Sequence, residues 1–166
     1  MFALKALSHE GVESALAKAE RYRLLNEPAE AESICLDILE IEPNNQQALI
    51  CYFLALTDRL PRDPKAFQGA LAAASRLTGE YERAYYTGIA WERRAKAAHE
   101  NSGRGTRYSV HEWMVRALEY FEKAEKLRPA GNDDAVLRWN TCVRFLASHP
   151  DVVQRSEEIP EPIVSE

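Results

Sequence analysis

One frame of residues recurs in this chain and constrains its fold more than any other feature. Ala31-x3-Cys35-x2-Ile38-x4-Pro43 is matched by Ala117-x3-Phe121-x2-Ala124-x4-Pro129. The register continues past each proline. Six residues after Pro43 begins the stripe Leu49, Phe53, Leu56, and six residues after Pro129 begins Ala135, Trp139, Cys142. Thr78 stands in the proline's place at a third junction, followed at the same distance by Ala84, Gly88, Trp91. Spacings of i, i+4 and i+7 put side chains on one face of an α-helix. A helical stripe, a proline and a second stripe in fixed register describe a helix, a tight turn and a returning helix. One such pair cannot bury its own apolar stripe, so pairs must stack on one another.

Reading along the chain on this basis predicts about seven helices. Ser8 is placed to cap a first helix through Ala15, Ala19 and Tyr22, and Pro28 opens a second that stops before Pro43. Asn44 or Asn45 caps the third, while Asp63 and Pro64 start the fourth, with Gly79 suited to a left-handed residue after its end. The fifth spans about Tyr81 to His99. A glycine-containing segment from Glu100 to Arg107 then reads as a loop near Gly103. Ser109 and Glu112 have the spacing of a capping box opening a sixth helix to Leu127, and Asn132 or Asp133 caps a seventh to about Ala147. Residues 8–149 are thus expected to form one helical repeat domain. Residues 150–166 are acidic, contain Pro160 and Pro162, and are expected to form a disordered tail.

Composition removes several function classes. A net charge of −5 supplies no general attraction for nucleic acid or anionic lipid. The longest apolar stretch, Ala48 to Leu56, falls far short of the roughly 20 residues a membrane span needs. No secretory leader is evident at the start, and cytoplasmic residence is expected. Cys35, Cys51 and Cys142 lie far apart without metal-ligand spacing and read as small core residues. His9, His99, His111 and His149 fall in different segments and converge on no catalytic or zinc pattern, so neither enzyme, metal nor cofactor is expected. Gly103-Arg-Gly105 lacks the length and the following Lys-Ser/Thr of a phosphate loop.

The stretch Ala117-Leu-Glu-Tyr-Phe-Glu-Lys-Ala-Glu-Lys-Leu-Arg-Pro129 resembles the second helix of a tetratricopeptide repeat, and Asn26 through Pro43 does so nearly as well. The likeness covers roughly Gly11 to His149. It departs from the family pattern where the middle repeats lack the closing proline and where the third carries about seventeen residues beyond the usual ~34. It implies an all-α, right-handed α-solenoid of antiparallel helix pairs, with the first helix of each pair lining a concave groove. Some relatives hold a peptide carboxylate with cationic groove residues; the matching places here are Leu16, Glu20, Cys51, Glu82 and Tyr86, none of them cationic.

The resemblance therefore implies a non-catalytic scaffold that grips a segment of another protein through apolar and aromatic contacts. The expected groove residues are Leu16, Ile50, Leu54, Tyr85, Tyr86 and Ile89, flanked by Arg93 and Lys96. Two other readings stay open. Arg93, Arg94, Lys96, Arg104 and Arg107 make a basic stretch among aromatics, which suits an anionic ligand or single-stranded nucleic acid. A structural subunit of a self-assembled homo-oligomer is the third.

Overall fold

The computed structural model describes residues 2–101 and 106–155. Among them a 3-10 turn, His9–Gly11, leads into seven α-helices: α1 (Val12–Leu24), α2 (Pro28–Ile41), α3 (Gln46–Arg59), α4 (Ala66–Ser75), α5 (Glu80–Asn101), α6 (Arg107–Leu127) and α7 (Asp134–Ser148). There is no strand among the described residues, so the all-α expectation holds. Each helix packs on the one before it. The odd-numbered helices also touch in order, α1 on α3, α3 on α5 and α5 on α7.

Local chemistry explains the boundaries. Asn26, at φ 61°, turns the chain between α1 and α2, a left-handed conformation that asparagine tolerates better than most residues. Pro28 opens α2, where its missing N–H costs nothing. Asn45 caps α3 by accepting the Ala48 N–H at 2.9 Å.

Other junctions differ from expectation. Ser8 makes no side-chain cap, and the chain enters α1 through the 3-10 turn instead. Asp63 does not cap α4, which begins at Ala66. Its carboxylate instead takes the Lys65 N–H at 3.2 Å and the Arg59 guanidinium at 2.9 Å. Gly79 is not left-handed; among the described residues positive φ belongs to Asn26 and Gly131, and α4 ends at Ser75 with Leu77 buried just beyond. α6 starts at Arg107, so Ser109 and Glu112 lie inside the helix rather than at its cap. The loop predicted from Glu100 to Arg107 is shorter than expected, since Glu100 and Asn101 end α5 and Arg107 begins α6; its middle, 102–105, lies outside the described residues.

Two large apolar clusters carry most of the packing, and a small third joins α5, α6 and α7 through Ala84, Ala124 and Ala135. The first joins α1, α2 and α3 through Leu16, Ala31, Cys35, Ile38, Leu49 and Cys51. The second runs from α3 to α7 around Phe53, Phe67, Met114, Phe121 and Cys142. Burying each large side chain contributes about 1.5–3 kcal/mol. Periodic burial is visible as well: the positions of Ala31, Cys35, Ile38 and Leu39 recur one repeat later as Ala66, Ala70, Ala73 and Ala74, all eight buried. Val152 is 5% exposed and belongs to the second cluster, so packed chain continues past residue 149. Residues 156–166, most of the expected tail, lie outside the described residues.

α5 and α6 approach closely at Gly88 of α5. A Cβ there would lie 2.7 and 2.8 Å from Phe121 ring carbons. That ring is fully buried and has nowhere to swing. Gly88→Ala should therefore destabilise the protein by about 1–3 kcal/mol through overpacking, although alanine is the better helix former by about 1 kcal/mol. Urea unfolding measures this, and Phe121→Leu in the Gly88→Ala background should recover part of the loss; a variant as stable as the parent would refute the close approach.

Candidate functional site

The face shared by α1, α3, α5 and α7 gathers the predicted residues, but unevenly. Leu16 of α1 with Ile50 and Leu54 of α3 lines one cleft of about 360 Å³, together with Glu13, Ala17, Glu20, Arg23, Gln47 and Cys51. These apolar groups meet because α1 and α3 lie side by side above α2. Tyr85 and Tyr86 sit farther along, on α5. Tyr81 and Tyr85 stack with ring centroids 5.7 Å apart, Tyr85 meets Tyr86 edge-on at 5.2 Å, and Tyr86 meets Phe53 of α3 edge-on at 5.3 Å. Both tyrosines are half-buried. Ile89, expected in the groove, is 2% exposed and belongs to the core, because α5 turns that side onto its neighbours.

Arg93 and Lys96 are engaged within the fold. Arg93 Nη1 donates to Asp58 Oδ1 at 2.5 Å and to Thr57 Oγ1 at 2.7 Å. On the other side of the same carboxylate, Arg23 Nε donates to Asp58 Oδ2 at 2.8 Å. One carboxylate of α3 thereby clasps α1 and α5. Each arginine lies 35 residues from Asp58, so Arg23, Asp58 and Arg93 hold equivalent places in successive helix pairs. Lys96 Nζ donates to Glu92 Oε1 at 2.5 Å. Glu92 is completely buried, with Arg138 of α7 3.5 Å from the same oxygen, while its Oε2 has no hydrogen-bond partner. Burial opposes the charge on Arg138, but Glu92 and a hydrogen bond with Tyr85 outweigh it and raise its pKa.

The described cations of the basic stretch have separate partners. Arg93 turns toward α3 and Lys96 pairs with Glu92 of its own helix, whereas Arg94 lies over the rings of Phe67 and Trp113 at 4.3 and 4.0 Å. Trp91 is half-buried and meets Phe67 edge-on at 4.8 Å. Arg107 covers Tyr108, and Arg104 lies outside the described residues. No group of three or more His, Cys, Asp and Glu among the described residues is arranged to hold a metal ion. No helix among them is long and apolar enough to cross a membrane.

Reading the sequence for apolar stripes passed over Arg23, Asp58, Glu92 and Arg138. The signal for the first two was present as charged residues one repeat apart, in register with Arg93. Glu92 and Arg138 show no such recurrence in the sequence. Comparison with protein-family models, with curated proteins and with solved structures found no match to this chain.

Asp58→Ala leaves two arginines without their shared acceptor. It should cost about 1.5–3 kcal/mol in urea unfolding, and a cycle with Arg93→Ala should show coupling between the two sites. Burial holds Cys142 up from 9.0 to about 12, with Glu92 adding to the effect. Burial likewise raises Tyr81 from 10.0 to about 12, opposed by its hydrogen bond to Asn132. Unfolded chain thus releases these protons from about pH 9 and 10 upward while the folded protein keeps them to about 12. Their contribution is full below pH 9 and is lost as pH rises toward 12. The urea midpoint should fall across that window, and Cys142→Ala should flatten its first part.

Proposed function

We propose that this chain is a non-catalytic protein-interaction scaffold: an α-solenoid of tetratricopeptide-like helix pairs holding a segment of another protein along the face of α1, α3, α5 and α7. The observation that carries this reading is the 35-residue recurrence of Arg23, Asp58 and Arg93 on consecutive odd-numbered helices, joined through one carboxylate. Stacked repeats place equivalent residues beside one another in this manner. The contacts of α1 with α3, α3 with α5 and α5 with α7 support the same arrangement. In such a stack the odd helices form the inner surface, and helical repeats use extended concave surfaces for binding.

Within that surface the α1–α3 cleft supplies apolar contact through Leu16, Ile50 and Leu54. Tyr85 and Tyr86 supply half-buried aromatic rings farther along. Aromatic side chains with low conformational freedom are the groups most often found to dominate binding. Arg93 acts chiefly by holding α5 against α3, and Lys96 pairs with Glu92 within α5, so both charges are already engaged. A cytoplasmic setting accompanies this reading.

The test is a capture experiment from the native cell, with bound proteins identified by mass spectrometry and the leading one remade for titration. Ile50→Glu combined with Tyr85→Ala should weaken its binding by on the order of 2 kcal/mol. Glu119→Ala with Glu122→Ala, both on the exposed side of α6, should leave it unchanged. Circular dichroism and melting confirm that each variant folds. Binding lost with the α6 pair and kept with the groove pair would move the site to the even-numbered helices.

A further inference from the structure

Two thiols face each other across the α2–α3 hairpin. Cys35 lies eight residues before Pro43 and Cys51 eight residues after it. Positions equidistant from the turn of an antiparallel helix pair are neighbours. Both side chains are buried in the same core cluster, both are free thiols, and they lie close enough for each to perturb the other's titration. They differ in access. Cys35 is completely enclosed, whereas Cys51 forms part of the lining of the α1–α3 cleft, beside Arg23.

Their chemistry differs in the same sense. The hydrogen bond with Cys51 and burial push the Cys35 thiol up. The hydrogen bond from Cys35 lowers Cys51 against the opposing effect of burial, while the Arg23 charge lowers it and the Glu20 and Asp58 charges raise it. The reactive form of cysteine is the thiolate, and lowered pKa with access marks the sulfur that reacts first. Cys142 differs from both, since burial and Glu92 hold it neutral up to about 12.

We propose that Cys35 and Cys51 form a redox modification site in which a small peroxide reaching the cleft oxidises Cys51 and Cys35 closes a disulfide onto it. The Cys51 thiolate attacks one oxygen of hydrogen peroxide and the O–O bond breaks. The departing hydroxide takes up a proton as water, leaving a sulfenic acid on Cys51. The Cys35 sulfur then attacks Cys51 Sγ, and its proton leaves with the displaced hydroxide as a second water. The pair gives up two electrons and two protons, and the peroxide is reduced to two waters. The new bond ties α2 to α3 beneath the cleft, which makes the groove a surface that can be stiffened by oxidation. A thiol reductant reverses it by exchange.

The experiment exposes the folded, reduced protein to hydrogen peroxide, removes the excess with catalase, then alkylates under denaturing conditions and maps the peptides. The expected result is alkylation of Cys142 alone among the 3 cysteines, a linked Cys35–Cys51 peptide, and three alkylated sites again after reductant. Cys35→Ser should trap Cys51 as a sulfenic acid captured by dimedone, and Cys51→Ser should leave Cys35 unreacted. The oxidised parent should melt higher than the reduced one, because the crosslink restricts the unfolded chain. Three free thiols after peroxide, a link that forms only in urea, or oxidation of Cys142 before the pair would each overturn the proposal. Peptide mapping of the parent decides this even where a variant fails to fold, and its outcome is separate from whether the groove binds a partner.

Discussion

The second half of the molecule depends on one close contact, the buried ring of Phe121 against the bare backbone at Gly88. α5 and α6 are the two longest helices, and this contact sets how deeply they approach. With α6 pressed there, the neighbouring side of α5 meets α3 and α7. Tyr86 reaches Phe53, Arg93 reaches Asp58, and Glu92 comes under Arg138. Packed helices transmit such a constraint because interiors have almost no free volume in which to absorb it.

Charge then fixes what apolar packing leaves adjustable. An apolar stripe tolerates small sliding of one helix along another, whereas a carboxylate shared between two guanidinium groups does not. Asp58 meets Arg23 on one oxygen and Arg93 on the other, and the second carboxylate, Glu92, lies between Lys96 and Arg138. Partly exposed pairs of this kind contribute modest stability each. Glu92 is different: fully buried with one oxygen unpaired, it carries a desolvation cost that its two cations must offset. Both carboxylates face the cations of α1, α5 and α7, so local charge on this face departs from the acidic average of the chain.

The same geometry decides which aromatic and basic residues remain available for a partner. Tyr85 and Tyr86 stay half-buried in an aromatic row, and Ile50 and Leu54 stay half-buried beside the cleft. Ile89 is enclosed, and the basic stretch is divided between Asp58, Glu92 and the rings of Phe67 and Trp113. Of the cations that had looked in sequence like one surface, Arg93 and Arg94 reach neighbouring helices, whereas Lys96 pairs within α5 and Arg107 lies against Tyr108.

The sequence by itself determined the number and order of the helices and most of their apolar faces. Helical periodicity, proline at a helix start and asparagine at a cap act within a few residues of chain, so Pro28, Asn45 and the stripe Leu49, Phe53, Leu56 were legible directly. It erred where a local signal lost to a nearby competitor, as at Asp63, whose carboxylate serves Arg59 and the turn rather than α4. It also placed Ile89 outward, because three residues of drift around a helix are invisible until a neighbour covers one side. Only tertiary structure decided that Asp58 lies between arginines of α1 and α5, that Glu92 is buried, and that Val152 closes the core beyond the last helix. These are pairings between residues far apart along the chain, and their energy depends on distance in space, which periodicity along one helix does not encode.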